Sequence, residues 1–304
     1  MNQEKIEFYK NRTIGERFSA AGDFIRQNWK VLLKNIVYIG VPIALIFGYF
    51  LQNYMQGIFS MINLAGVTGS YDTLSGILIP VLGIMLSSIL LYLFLFSITG
   101  AILNKYVKGS LTEDAGWADL KNTVFSFAGK LFVQGFILFL IIVAIGIVFA
   151  IIISIGAALD SSIFTGIVTF LLIILLYGAI FAFYPFFALL PYPIFFENAS
   201  AWQAIKKSFK LGFRYWGSTF LTMFLGGLLT GIVSYILMMP YIIYTILNIG
   251  TTGFLGYVLA MLTSLVFVVV YPVFVVFVGL QYTSIVEREE GVSLQDKVAE
   301  FDNL

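Results

Sequence analysis

LFVQGFILFLIIVAIGIVFAIIISIGAA, residues 131–158, is the stretch on which the fold turns. It runs its whole length without one charged side chain. As a helix rising 1.5 Å per residue it would extend about 42 Å, more than the roughly 30 Å hydrocarbon core of a bilayer. A barrel strand would alternate apolar and polar positions over about ten residues, and LIIVAIGIVFAIIIS (140–154) does not alternate. In lipid only helices and closed barrels satisfy their own backbone groups, so the segment reads as a membrane-spanning helix.

Five further runs of the same kind lie at 35–58, 76–104, 163–190, 217–247 and 253–284. Several exceed 20 residues by enough that they must tilt, kink or run past the interface. The chain as a whole agrees. Its 304 residues are 60% hydrophobic and 11% charged, with mean hydropathy +0.97. A water-soluble domain carries about 25% charged residues, so a soluble enzyme and a disordered chain are both excluded. The expected fold class is all-α: a polytopic membrane protein of six transmembrane helices forming one membrane domain over 1–304.

The basic residues set the expected topology. All 17 Lys and Arg fall before span 1, between spans 2 and 3, between spans 4 and 5, or after span 6. The other three connections hold only Asp72 and Asp160 as charges. Cationic loops stay cytoplasmic, so both termini are expected there. Residues 1–34 carry seven cations against four acids and show no apolar core or cleavage site of a secretory signal peptide. Without a block of like charge, no nucleic-acid partner is expected.

Chemistry is limited by what is missing. There is no Cys and no His, which removes disulfides, thiolate and imidazole metal sites, and Ser-His-Asp or Cys-His nucleophiles. No span interior carries a charge, which disfavours proton relays and excludes an arginine voltage sensor. We therefore expect no catalytic residues, no metal and no cofactor, and a protein that is not an enzyme.

The three hydrophilic segments ahead of spans 1, 3 and 5 share one pattern. Trp202, Ile205, Phe209, Phe213 and Trp216 fall on one helical face. Moving back 85 residues gives Trp117, Leu120, Val124, Ala128 and Leu131; moving back 184 gives Phe18, Ala21, Ile25, Trp29 and Leu32. All fifteen are apolar, and all four Trp of the chain lie in these segments. The expected unit is an interfacial amphipathic helix followed by a hairpin of spans, repeated with pseudo-threefold symmetry over about 13–106, 112–198 and 199–286. Thr13 and Glu16 have capping-box spacing at the first helix start. The acidic tail 287–304 reads as a short or frayed cytoplasmic helix.

Candidate site residues follow from this layout. Arg26, Lys30, Lys206, Lys207, Lys210 and Arg214 are expected to contact lipid headgroups, at about 1 kcal/mol per cation near an anionic surface. Pro185, Pro193, Pro240 and Pro272 are expected helix-kink or motif positions, together with Glu197 as a cap charge or ligand contact. Pro42 is expected to interrupt span 1. Asn198 and Ser200 read as caps. Gln134, Gln281, Asn104, Ser87 and Ser88 are expected to bond between helices, and Gly226-Gly227 to permit close helix approach.

LPYPIFFENASAWQAIKKSFKLGFRYWGSTFLTMFL, residues 190–225, resembles a motif in a broad group of uncharacterised bacterial polytopic membrane proteins. That group includes the membrane domain attached to some glycerophosphoryl diester phosphodiesterases. The matching positions are Pro193, Glu197, Ala204, Ser208, Leu211 and Trp216. The resemblance implies a similar six-helix module in the bacterial inner (cytoplasmic) membrane. It does not carry over the phosphodiesterase activity, because the metal-binding acids of the soluble barrel domain are not among these residues. The expected role is a non-enzymatic module that organises lipid or a partner protein. The alternative is a transporter or facilitator of a neutral or amphipathic solute. Membrane lipids are the expected partners, with a homo- or hetero-oligomer as the second class.

Because the chain has no cysteine, single introduced thiols report topology cleanly. With the basic loops cytoplasmic, Asp72→Cys should react with a membrane-impermeant maleimide from outside intact cells. Lys121→Cys and Lys210→Cys should react only after permeabilisation.

Overall fold

The computed structural model describes residues 5–64, 72–158, 162–248 and 253–293. Among them the chain is helical, as α1 (Ile14–Leu64), α2 (Asp72–Val107), α3 (Trp117–Ala158), α4 (Ser162–Leu189), α5 (Tyr192–Glu197), α6 (Ala201–Arg214), α7 (Trp216–Leu247) and α8 (Phe254–Glu290). Six of these are long and apolar enough to cross a membrane, so the chain reads as a multi-pass membrane protein. Two compact units divide it. One comprises the residues up to Ala128 and from Phe224 onward; the other is Gly129–Met223.

In the first unit α1 packs along α2 and α8. Both run in the opposite sense to α1: Gly40 faces Leu95 and Gly83 faces Phe50, while Gly48 faces Met261 and Tyr257 bonds Asn53. The core between them is built from Phe24, Leu32 and Ile36 of α1, Leu95, Ile98 and Ile102 of α2, and Val268, Val275 and Leu280 of α8, all buried. Lipid offers no hydrophobic drive for helix pairing, so close backbone approach matters more. At Gly48 a Cβ would lie 2.6 Å from the Met261 Cα.

The amphipathic segments differ from the expected separate helices in two of three copies. Residues 14–34 and the first span form one unbroken 51-residue helix, α1, and α3 likewise runs 42 residues. Nothing between Phe24 and Tyr38 breaks a helix, so once the Thr13 cap starts the helix it propagates into the apolar run. The apolar part of α1, from Asn35 onward, is long enough by itself to span, which leaves its charged first turns outside the hydrocarbon. Only the third copy is separate, because the chain leaves helical geometry at Tyr215 (φ −111°, ψ 32°) between α6 and α7.

The prolines expected as kink positions within the spans do not end their helices. Pro42, Pro185, Pro240 and Pro272 all sit inside continuous helices. Pro191 and Pro193 do reshape the chain: α4 stops at Leu189 and α5 begins at Tyr192 with Pro191 as its N-cap. Of the Gly226-Gly227 pair, only Gly226 faces a neighbour, with its Cβ position 2.7 Å from the Phe277 ring. Asp72 opens α2, whereas Asp160 and residues 294–304 lie outside the described residues. The first four residues of the expected tail, Glu287–Glu290, belong to α8, which ends at Gly291 in the left-handed conformation (φ 59°).

Gly48→Ala should destabilise the α1–α8 contact by about 1–3 kcal/mol, lowering the melting temperature in detergent micelles. Gly227→Ala, with no atom within 4 Å of the new methyl, should leave it unchanged or slightly raised.

Candidate functional site

α6 begins at a full capping box. Ser200 accepts from the Gln203 amide, and the Ser200 amide donates to Gln203 Oε1 at 3.0 Å. From Ala201 the helix divides into three sectors at 100° per residue. Ala201, Ala204, Ile205, Ser208, Leu211 and Gly212 are buried. Trp202, Phe209 and Phe213 form the next sector and are 51%, 49% and 41% exposed. Lys206, Lys210 and Arg214 make the third and are exposed.

The small residues explain why α6 lies so close to α4. A Cβ at Gly212 would stand 2.8 Å from the Phe186 Cα. Ser208 Oγ donates to the Leu189 carbonyl at 3.1 Å, and Trp216 Nε1 to the Ala182 carbonyl at 2.9 Å. Phe186, Leu190 and Ile205 form a small core with Ile137, Leu138 and Phe183 against it. Gln134, buried on α3, donates to the Leu190 carbonyl at 3.0 Å, in the turn just past the end of α4. Ser87 and Ser88 instead bond carbonyls of their own helix. A helix carbonyl three or four residues back is the nearest acceptor for a hydroxyl in lipid.

The candidate cations do not form one group. Lys206 Nζ stands 5.4 Å from the centre of the Trp202 ring, and on α1 Lys30 Nζ stands 5.9 Å from that of Trp29. Arg26 meets Asp23 at 3.5 Å in an exposed pair, an arrangement worth little in water. Lys207 turns from the headgroup sector to Glu197, with Nζ 2.9 Å from Oε2. Glu197 therefore ends α5 and pairs with Lys207, while the cap of α6 is Ser200. Asn198 caps α5 in the left-handed conformation (φ 56°), where Lys130 Nζ donates to its side chain at 2.6 Å and its carbonyl at 3.0 Å.

A second polar assembly was not foreseen from sequence. Residues 5–12 form a strap over the start of α1, in the other unit. Phe8 is buried against Phe24 and Tyr106. The Tyr106 hydroxyl accepts from the Ile6 amide at 2.8 Å and donates to Gln27 Oε1 at 3.2 Å. Arg12, 8% exposed, donates to the Phe8 carbonyl at 3.2 Å and to the Glu7 carbonyl. Arg17, 3% exposed, donates to the Arg12 carbonyl at 2.7 Å. From α8, Ser284 Oγ bonds the Lys10 carbonyl at 2.9 Å and Arg288 Nε bonds Asn11 Oδ1 at 2.7 Å. Burial lowers the Arg12 pKa. Burial, then Arg288 and Arg12, push that of Arg17 down to about 10, so it stays cationic at neutral pH. The only sequence signal was the apolar Ile6 and Phe8 within an otherwise polar leader.

Among the described residues no three acids gather as a metal site. Compared with known protein families, curated proteins and solved structures, the chain matches none.

Ser200→Ala should weaken α6 by about 1 kcal/mol, seen as faster amide exchange at Ala201–Lys206. At the start of α1, hydrogen bonds from the Thr13 amide and then its hydroxyl hold the Glu16 carboxyl below its ordinary value. A depressed carboxylate stabilises above its unfolded value, near 4.3, and the effect is lost as pH falls through the lowered one. Protection factors at residues 14–17, with the intrinsic pH dependence of exchange divided out, should therefore fall on acidification from about pH 6 to about pH 2, and Thr13→Ala, which removes the hydroxyl and keeps the amide, should make that fall smaller.

Proposed function

We propose that this chain is a non-enzymatic membrane module that gathers anionic lipid along α6, with its termini and basic loops on the cytoplasmic face of a bacterial inner membrane. The observation that carries this reading is the three-sector division of α6. One sector seats on α4, one presents Trp202, Phe209 and Phe213, and one presents Lys206, Lys210 and Arg214. That order is what a helix lying in a headgroup layer requires. Its aromatic rings enter the acyl boundary, and its cations remain level with phosphates. The seat on α4 fixes the depth and roll of the helix, so the cations are presented as an ordered row.

The solute-facilitator reading draws no support from the α1–α2–α8 bundle, whose interior is filled by Leu95, Ile98, Ile102 and Leu280 at zero exposure.

The test is lipid enrichment around the purified chain in mixed bilayers. With bromine-labelled phosphatidylglycerol as the minor lipid, tryptophan quenching should exceed that from bromine-labelled phosphatidylcholine several-fold at equal content. The variant Lys206→Gln/Lys210→Gln/Arg214→Gln should lose most of that preference and keep its melting temperature. Equal quenching by the two lipids in the unaltered chain would refute the proposal.

A further inference from the structure

Between the strap and the first turns of α1 lies an open cavity of about 610 Å³. This volume is within the range of small-molecule sites. Four cations line it, Lys5, Lys10, Arg12 and Arg26, with the Ser19 hydroxyl and the Gln27 amide between them. Three acids also line it, Glu7, Glu16 and Asp23, but two are engaged. Glu16 accepts from Thr13, and Asp23 pairs with Arg26. Arg12 has already placed its guanidinium on two strap carbonyls. Lys5 and Lys10 differ: both are exposed, and neither makes an ion pair among the described residues. Lys5 Nζ stands 5.8 Å from the centre of the Tyr106 ring.

We propose that this cavity binds a phosphoester anion carrying a small amine-bearing substituent. The chemistry of the remaining donors selects the anion. A planar carboxylate is best held by a guanidinium fork; the Arg12 fork is spent on carbonyls, and the Arg26 fork is turned to Asp23. The donors left are two flexible ammonium groups and a hydroxyl, which suit the three well-separated oxygens of a phosphate. Arg12, with Arg17 and Arg288 behind the strap, adds positive potential without taking a direct bond. The substituent is set by the rest of the wall. A phosphate ion alone would leave most of the volume empty, and the exposed Glu7 carboxylate offers an ammonium group its counter-charge. The same chemistry is found in a lipid headgroup and in a free phosphoester. This site is independent of the α6 reading, since it uses none of its residues.

The test uses the full chain in a neutral detergent, with O-phosphoethanolamine, inorganic phosphate and ethanolamine as calorimetric probes. O-Phosphoethanolamine should bind saturably, at least tenfold tighter than either fragment. Lys5→Gln/Lys10→Gln should weaken that binding at least tenfold without shifting the melting temperature, since both side chains are exposed. Lys206→Gln/Lys210→Gln/Arg214→Gln should leave it unchanged, which separates this site from α6. Nanodiscs of phosphatidylethanolamine then distinguish the sources. A ³¹P perturbation that disappears in the Lys5/Lys10 variant assigns the lipid headgroup, and its absence alongside calorimetric binding assigns a soluble phosphoester. No saturable binding of O-phosphoethanolamine, or binding indifferent to Lys5 and Lys10, overturns the proposal.

Discussion

A peptide group left without a partner in hydrocarbon costs several kcal/mol, and a charge there costs more. Both penalties act on every residue of this chain that enters a bilayer. The first makes each apolar run a helix, including runs that contain Pro42, Pro185, Pro240 or Pro272. The second confines all 17 cations to the segments flanking those runs. Neither says how the helices meet. Since lipid tails are as apolar as Leu, pairing depends on close fit, and the chain has two kinds of helix as a result. Half of the most apolar 18 residues of α8 are buried, and none of those of α3 or α4 is. α8 meets α1 where Gly48 admits the Met261 backbone. Gly135, Gly146, Gly166 and Gly178 have nothing within reach of a Cβ, so on α3 and α4 glycine alone has created no contact.

The charged end of the α1–α2–α8 bundle meets a different constraint. Arg12 and Arg17 are buried beside one another, and a buried guanidinium must be bonded. Their acceptors are strap and helix-start carbonyls, at Glu7, Phe8 and Arg12 itself. The polar leader is thereby converted into structure: carbonyls that a flexible segment would give to water are used to satisfy cations. Ser284 and Arg288 hold Lys10 and Asn11 of the same strap from α8. One short segment thus ties α1, α2 and α8 together where their apolar contacts end.

The spans were legible because hydropathy is a local property. The runs expected at 163–190 and 217–247 lie within a residue of Ser162–Leu189 and Trp216–Leu247. What could not be read depends on contacts between distant residues. The strap needs Tyr106, about 100 positions away, to accept from Ile6. The continuity of α1 depends on the absence of a break, which a boundary drawn from hydropathy cannot register. Glu197 had the position of a cap charge for α6, but Ser200 with Gln203 satisfies that terminus and frees Glu197 for Lys207.

The threefold pattern shows the same limit more sharply. An apolar face at helical spacing states only that the face avoids water. It does not distinguish protein from lipid. In the second copy Leu120, Val124 and Leu131 are buried in protein. In the third the equivalent Ile205 is buried, while Trp202, Phe209 and Phe213 are largely exposed. The side chains themselves carry the difference. Aliphatic residues fill an interior without polar demands, whereas large aromatic rings suit a boundary with one apolar side and one wet side. Beside Ile205 and Leu211, the buried face of α6 is made of its smallest residues, Ala201, Ala204, Ser208 and Gly212, which a hydropathy stripe passes over because they are small. The two faces of one helix can thus serve two surroundings, and residue size, more than residue polarity, tells them apart.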